Sequence, residues 1–117
     1  MVKKIAIFAF NGELMCFAHA LLNAQEMHEK GYDVKLIIEG STTKLVKMFY
    51  EQVDAPFERL YRKIIELKII DCVCRACSLK MGVLETVKKE KLPLCDEMAG
   101  HPSISKYMEK GYSILTF

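Results

Sequence analysis

The stretch "KIAIFAFNGELMCFAHALLNAQEMHEKGYDVKLIIEG", residues 4–40, contains a strand, a helix and a second strand in succession. Lys4 to Phe10 and Tyr32 to Glu39 are apolar and rich in residues that favour strands. Between them, from Glu13 to Lys30, apolar side chains recur every three or four residues, as on the buried face of a helix. Gly31 suits the end of that helix, because glycine readily adopts the left-handed conformation.

The rest of the chain continues this alternation of strands and helices. The later predicted elements are a pair of helices on either side of Pro56, strands at Ile69–Val73, Leu92–Cys95 and Tyr112–Phe117, a helix from Arg75 to about Lys89 that is kinked or broken at Gly82, and a helix that begins at Pro102 and stops at Gly111. Such alternation predicts an α/β fold with a mostly parallel sheet and helices on both faces. The length of 117 residues predicts a single domain, residues 1–117.

Composition and charge exclude several classes of protein. The net charge of +2 is too small, and the lysines too dispersed, for a nucleic-acid-binding surface. The apolar run at the start, Ile5–Phe10, has six residues, whereas a membrane span needs about 18 and a signal peptide needs a longer apolar region. No phosphate-binding or dinucleotide-binding motif is present in the sequence. We therefore expect a cytoplasmic protein without a membrane or nucleic-acid partner.

Residues that can bind a ligand follow the predicted strands. In parallel α/β sheets, ligands bind beyond the carboxyl ends of the strands. Asn11 and Gly12 follow the first strand, the C-x-x-C pair follows the third, and Gly100 and His101 lie shortly after the fourth. We predict that these residues shape a pocket. His101 is a candidate general acid or ligand-orienting residue, and the alternative is that it caps the last helix.

The cysteines have different surroundings in the sequence. Cys72 lies inside a predicted buried strand, and we expect it to pack in the core. Cys74 lies where the strand ends and a helix begins, so free backbone N–H groups, the helix dipole and Arg75 should stabilise its thiolate. Cys77 falls in the first turn of that helix, as in thioredoxin-like C-x-x-C pairs that form reducible disulfides. We predict Cys74 and Cys77 as the catalytic residues, and packing is the alternative for each.

A metal site is a further alternative for this pair. Zinc usually takes four ligands, commonly from two ligand pairs, and no second C-x-x-C accompanies the first. The missing ligands would have to come from Cys95, or from Cys16 and His19 on one helical face. Because the second pair is missing, we predict neither a metal nor a cofactor.

Several segments resemble the DsrE/DsrF-like proteins. They are "VCRACSLKMG" (residues 73–82), "EMAGHPSISKYMEKGYSILTF" (residues 97–117), and "FNGE" and "GYDVKLIIEG" nearer the start. The resemblance covers essentially the whole chain. It implies a three-layer α/β/α sandwich with a five-stranded, mainly parallel sheet, assembled as a homotrimer or hexamer. In the sulfur-relay branch a cysteine after the third strand carries sulfur as a persulfide, and by position Cys74 is similar to that cysteine. Cys77 is an additional cysteine relative to the simplest relay pattern.

The resulting hypothesis is a sulfur-handling protein. Cys74 takes sulfane sulfur as a persulfide, Cys77 modulates or resolves it, and protein partners act as donor and acceptor. The alternatives are a thiol/disulfide redox protein that uses Cys74 and Cys77, a small-molecule or metal-binding module without turnover, and a structural subunit of a larger assembly.

Overall fold

The computed structural model describes residues 2–117, and its five strands form one sheet. The strands are β1 (Lys4–Ala9), β2 (Asp33–Ile38), β3 (Ile70–Cys74), β4 (Leu94–Cys95) and β5 (Ser113–Thr116). Their order across the sheet is β4-β3-β2-β1-β5, and every neighbouring pair is parallel. The predicted α/β fold with a five-stranded parallel sheet is confirmed.

In the described part of the chain, residues 2–117, six α-helices connect the strands. They are α1 (Leu14–Glu29), α2 (Thr43–Glu51), α3 (Glu58–Glu66), α4 (Arg75–Lys80), α5 (Leu84–Lys89) and α6 (Ile104–Glu109), and a 3₁₀ turn (Gly40–Thr42) precedes α2. The predicted break at Gly82 is confirmed, since α4 ends before it and α5 begins after it. The alternative role of His101 as the cap of the last helix is ruled out, because Ser103 is the N-cap and its hydroxyl accepts a hydrogen bond from the Lys106 amide.

Helices pack on both faces of the sheet, and the hydrophobic core on one face is larger than the core on the other. The larger core joins one face to buried residues of α1, α2, α3 and α5. The smaller core joins strand residues on the other face, among them Phe8 and Cys72, to Tyr107 of α6. The chain steps in one direction from β1 to β4 and then crosses back to β5. Because such crossovers are right-handed, this reversal places α6 opposite the other helices.

A β-bulge in β3 sets which side chains face α6. The register of β2 with β3 shifts between Leu36, which pairs with Ile70, and Ile37, which pairs with Cys72. Asp71 is therefore an extra residue, and Cys72 turns towards Tyr107 of α6. The hydroxyl of Tyr107 donates a hydrogen bond to the Asp71 carboxylate, which ties α6 to this strand.

Within residues 2–117, none of the helices has the length and apolar character that crossing a membrane requires.

Candidate functional site

Cys74 is both the last residue of β3 and the N-cap of α4. Its Sγ accepts a hydrogen bond from the Cys77 amide at 3.3 Å, and its carbonyl accepts one from the Ser78 hydroxyl at 2.7 Å. The strand therefore passes into the helix without an intervening loop. This confirms the predicted C-x-x-C pair at the start of a helix, with Cys77 in the first turn.

His101 reaches the cysteines through a tight turn after β4. Met98 and His101 exchange two backbone hydrogen bonds of 2.9 Å each, and φ is positive at both central residues, +51° at Ala99 and +92° at Gly100. These are features of a type I′ turn. The Gly100 carbonyl accepts a hydrogen bond of 2.9 Å from the Ala76 amide, which attaches the turn to α4. A Cβ on Gly100 would lie 3.1 Å from that of Ala76, which explains glycine at this position.

The side chains of Cys74, Cys77 and His101 converge at the carboxyl end of the sheet, and we call them the thiol–imidazole centre. His101 Nδ1 lies 3.2 Å from Cys74 Sγ and 3.7 Å from Cys77 Sγ. All three atoms lie within 4.8 Å of one another. Cys74 is fully buried, whereas Cys77 and His101 are partly exposed. The centre is therefore closed towards the sheet and accessible from outside through Cys77 and His101.

The environment of Cys74 disfavours its thiolate. Burial raises the pKa of the Cys74 thiol to about 12, and the hydrogen bond with the Cys77 thiol acts in the same direction. The Cys77 amide lowers this pKa but does not compensate. The sequence-based expectation of a stabilised Cys74 thiolate is therefore wrong, since loss of solvent outweighs the donors at the start of the helix.

Glu39 is a residue of this region that the sequence analysis missed. It follows β2 directly, and its side chain is partly buried. Burial raises the pKa of its carboxyl group, and the charge of His101 acts in the opposite direction. Its position as the last residue of the predicted strand Tyr32–Glu39 was the available signal, because Asn11 and the cysteine pair were selected for lying at strand ends.

Asn11 and Gly12 have structural roles beside the centre. The Asn11 side-chain oxygen accepts a hydrogen bond of 2.8 Å from the Glu13 amide, and this bond shapes the turn into α1. The Gly12 amide donates to the Thr42 hydroxyl at 3.0 Å, which joins this turn to the 3₁₀ turn after β2. That 3₁₀ turn packs against α4. The structure thus brings Gly100 and His101 to the cysteines and places Asn11 and Gly12 on the adjoining loops.

Two of the remaining cysteines form a disulfide. Cys72 and Cys95 are bonded across β3 and β4, with a Cα–Cα distance of 5.5 Å. Cys72 is buried, as predicted, but its bond to Cys95 was not foreseen. Cys95 is therefore not available to complete a metal site with Cys74 and Cys77. The other proposed ligands, Cys16 and His19, do not belong to the thiol–imidazole centre, and Cys16 is a free cysteine on α1.

The fold and the centre define a small parallel α/β protein with two free thiols and an imidazole at the carboxyl end of its sheet. The uncharacterized protein MJ0733 of Methanocaldococcus jannaschii is 35% identical over 97 residues, which is 83% of this chain and 76% of that protein. An uncharacterized protein of Archaeoglobus fulgidus is 49% identical over 51 residues, 44% of this chain and 84% of that protein. The chain belongs to the same family as MJ0733. No protein-family model matches the chain, and no solved structure is detectably similar.

Proposed function

We propose that this protein carries sulfane sulfur as a cysteine persulfide at the thiol–imidazole centre and passes it to a protein partner. The observation that supports this function is the convergence of two free thiols and the His101 imidazole at the carboxyl end of the sheet. Sulfur transfer needs a nucleophilic thiol, a group that handles its proton, and access for a donor. The resemblance to DsrE/DsrF-like proteins points to the same chemistry.

Accessibility favours Cys77, rather than Cys74, as the thiol that first accepts sulfur. Cys77 is partly exposed, whereas Cys74 has no solvent contact. A donor protein must bring its sulfur within bonding distance of the attacking atom, which a buried thiol prevents. We therefore exchange the roles expected from the sequence, so that Cys77 is the carrier and Cys74 the resolving thiol.

The proposed reaction is a transfer of one sulfur atom. Cys77 loses its proton to His101 Nδ1, and its thiolate attacks the outer sulfur of a donor persulfide, R–S–SH. The S–S bond of the donor breaks, the donor leaves as a thiolate, R–S⁻, and Cys77 becomes Cys77–S–SH. An acceptor thiolate attacks the outer sulfur in the same way and restores Cys77. If Cys74 attacks Cys77 instead, a Cys74–Cys77 disulfide forms and hydrosulfide leaves.

The last step defines a second candidate function, thiol/disulfide exchange. The Cys77 amide donates a hydrogen bond to Cys74 Sγ, so the two residues are neighbours in one helical turn, as in C-x-x-C redox pairs. A redox protein would cycle between the dithiol and the disulfide without holding extra sulfur. The two functions differ in the mass of the oxidised product.

Intact-mass spectrometry of the metal-free protein tests both functions. After incubation with a low-molecular-weight persulfide, we expect a gain of one sulfur that reductant removes and that maps to Cys77. Cys77→Ser should abolish this gain, and Cys74→Ser should retain or increase it. Cys16→Ser, which removes a free cysteine outside the centre, is the matched control. Loading that survives in Cys77→Ser would contradict the assignment, and a loss of two hydrogens without sulfur gain would identify the redox pair.

We further propose that the protein acts in the cytoplasm as a homo-oligomer, a trimer or hexamer, with separate donor and acceptor proteins. The Cys72–Cys95 disulfide must then resist a reducing compartment. Intracellular disulfides occur in hyperthermophilic archaea, and the relatives described above are archaeal. This disulfide is shielded from external thiols, since Cys72 and Cys95 are both buried.

A further inference from the structure

We propose that Cys74, Cys77 and His101 also form a binding site for a thiophilic divalent cation, with zinc as the fitting ion. The site would supply three protein ligands, two thiolates and one imidazole, and would leave a fourth position open. This inference goes beyond the proposed sulfur transfer and does not rest on it, because metal binding requires neither a sulfur donor nor turnover.

The two sulfur–nitrogen distances within the centre match those of tetrahedral zinc. Bonds of about 2.3 Å to sulfur and about 2.0 Å to nitrogen place the sulfur and nitrogen ligands about 3.5 Å apart in a tetrahedral site. His101 Nδ1 lies 3.2 Å from one sulfur and 3.7 Å from the other. Both sulfur–nitrogen distances are therefore close to the tetrahedral value, and the two sulfur atoms lie within 4.8 Å of each other, so binding would need only side-chain adjustments.

Charge and hydrogen bonding also suit a dication. Two thiolates and a neutral imidazole give a neutral complex with a divalent ion, which reduces the cost of placing a charge on buried Cys74. The Cys77 amide already donates to Cys74 Sγ at 3.3 Å and would stabilise the coordinated sulfur. The 3.7 Å hydrogen bond from the Cys74 thiol to the Gly100 carbonyl would be lost when the thiol proton leaves.

Backbone contacts hold all three ligands in place before any metal binds. Cys74 and Cys77 are fixed by the start of α4, and His101 by the turn that Gly100 ties to Ala76. Ligands on such rigid elements lose little conformational entropy when they bind a metal. Two residues that are partly exposed, Cys77 and His101, leave the fourth position on the outer side. A water molecule or an external thiolate would occupy it, as in zinc sites with three protein ligands.

Bound metal would lower the reactivity of the same thiolates towards a sulfur donor, because coordination withdraws electron density from each sulfur. The metal-bound form would thus load sulfur more slowly than the metal-free form. Metal binding and sulfur loading can be measured separately, on reduced protein without a donor and on metal-free protein with one. A negative result for metal binding would therefore leave the proposed sulfur transfer unaffected, and a negative result for sulfur loading would leave the proposed metal site unaffected.

Cobalt(II) titration of the reduced protein under anaerobic conditions tests the site. We expect one equivalent to give the intense visible bands of tetrahedral cobalt and a near-ultraviolet thiolate-to-cobalt band, both removed by zinc. Cys77→Ser, Cys74→Ser and His101→Asn should each weaken binding at least about tenfold. Cys16→Ser and His28→Asn, which remove a free cysteine and an imidazole outside the centre, should bind as the wild type does. The Cys72–Cys95 disulfide is checked by mass after each titration.

Three results would overturn the proposal: an octahedral spectrum, no binding at one equivalent, or unchanged affinity in His101→Asn. Circular dichroism of each variant shows whether it is folded. Should Cys74→Ser fail to fold, Cys77→Ser and His101→Asn decide, because both residues are partly exposed and substitution there disturbs the core less. A zinc-dependent rise in melting temperature in the wild type, reduced in His101→Asn at the same zinc concentration, is expected as an independent readout.

Discussion

Gly12 holds the turn after β1 in a left-handed conformation, φ +81°, against the 3₁₀ turn that adjoins the centre. A Cβ there would lie 2.5 Å from Ser41 Cβ and 3.0 Å from the Ser41 carbonyl carbon. Gly31 has a similar φ of +85°, but a Cβ there would meet nothing within 4 Å. These two glycines therefore separate the cost of backbone strain from that of a steric clash.

We predict that Gly31→Ala lowers the free energy of unfolding by about 1 kcal/mol, the cost of a left-handed alanine. Gly12→Ala should lower it by about 2–4 kcal/mol, because displacement of the backbone at Ser41 adds an overpacking cost. Urea denaturation of both variants and the wild type measures the difference. An equal loss of unfolding free energy in Gly12→Ala and Gly31→Ala would contradict this prediction. It would show that the Gly12 turn and the 3₁₀ turn can move apart at no further cost.

Single residues show what the sequence could and could not reveal about the centre. The position of Cys74 and Cys77 was predictable, because a strand followed directly by a helix fixes both within four residues. The burial of Cys74 was not, because the turn that carries His101 comes from residues more than 20 positions later in the chain. The donors at the helix start are evident from the sequence, whereas the segment that removes solvent from Cys74 is not.

At the scale of elements, the strand–helix order was predicted and the inward faces of the helices only partly. Phe17 and Leu21 of α1 are buried as their spacing indicates. In α6 the helical spacing of Ile104, Tyr107 and Met108 predicts that all three face inward, yet only Tyr107 is buried. A helix of six residues presents one good position to the sheet, so spacing alone cannot select the correct side chain.

The shortest strand depends on a covalent bond to its neighbour. β4 has two residues, and Cys95 in it is bonded to Cys72 of β3 across a sequence separation of 23. A cross-link that closes a loop of this length stabilises the folded state by about 3 kcal/mol on the chain-entropy model. We predict that the free energy of unfolding of Cys72→Ala/Cys95→Ala is lower than that of the wild type by about 3 kcal/mol. Urea denaturation without reductant measures this difference.

Reductant supplies the complementary measurement for this disulfide. Under full reduction the wild type should approach the stability of the double alanine variant, and the variant itself should not respond. Cys16→Ser, which leaves the disulfide intact, should behave as the wild type does under both conditions. A wild type that is equally stable with the disulfide demonstrably reduced would show that packing alone fixes β4.

At the scale of the whole molecule, the two faces of the sheet are unequally covered, and this bears on assembly. Ile104 and Met108 lie four residues apart on α6 and are 41% and 61% exposed. Apolar side chains that share an exposed face often mark an association surface. A second copy of this chain packed on α6 would cover both, in line with the oligomer that the DsrE/DsrF resemblance implies.

We predict that the wild type has a solution mass three times that of one 13.4 kDa chain, or six times if trimers pair, by size-exclusion chromatography with light scattering. Met108→Lys should shift the mass towards one chain, because a lysine ammonium in an apolar interface loses its hydration without a partner. Leu22→Lys, at a site on α1 that is 50% exposed, is the matched control and should keep the wild-type mass. A monomeric wild type would contradict the oligomer, and an equal effect of both substitutions would contradict its placement on α6.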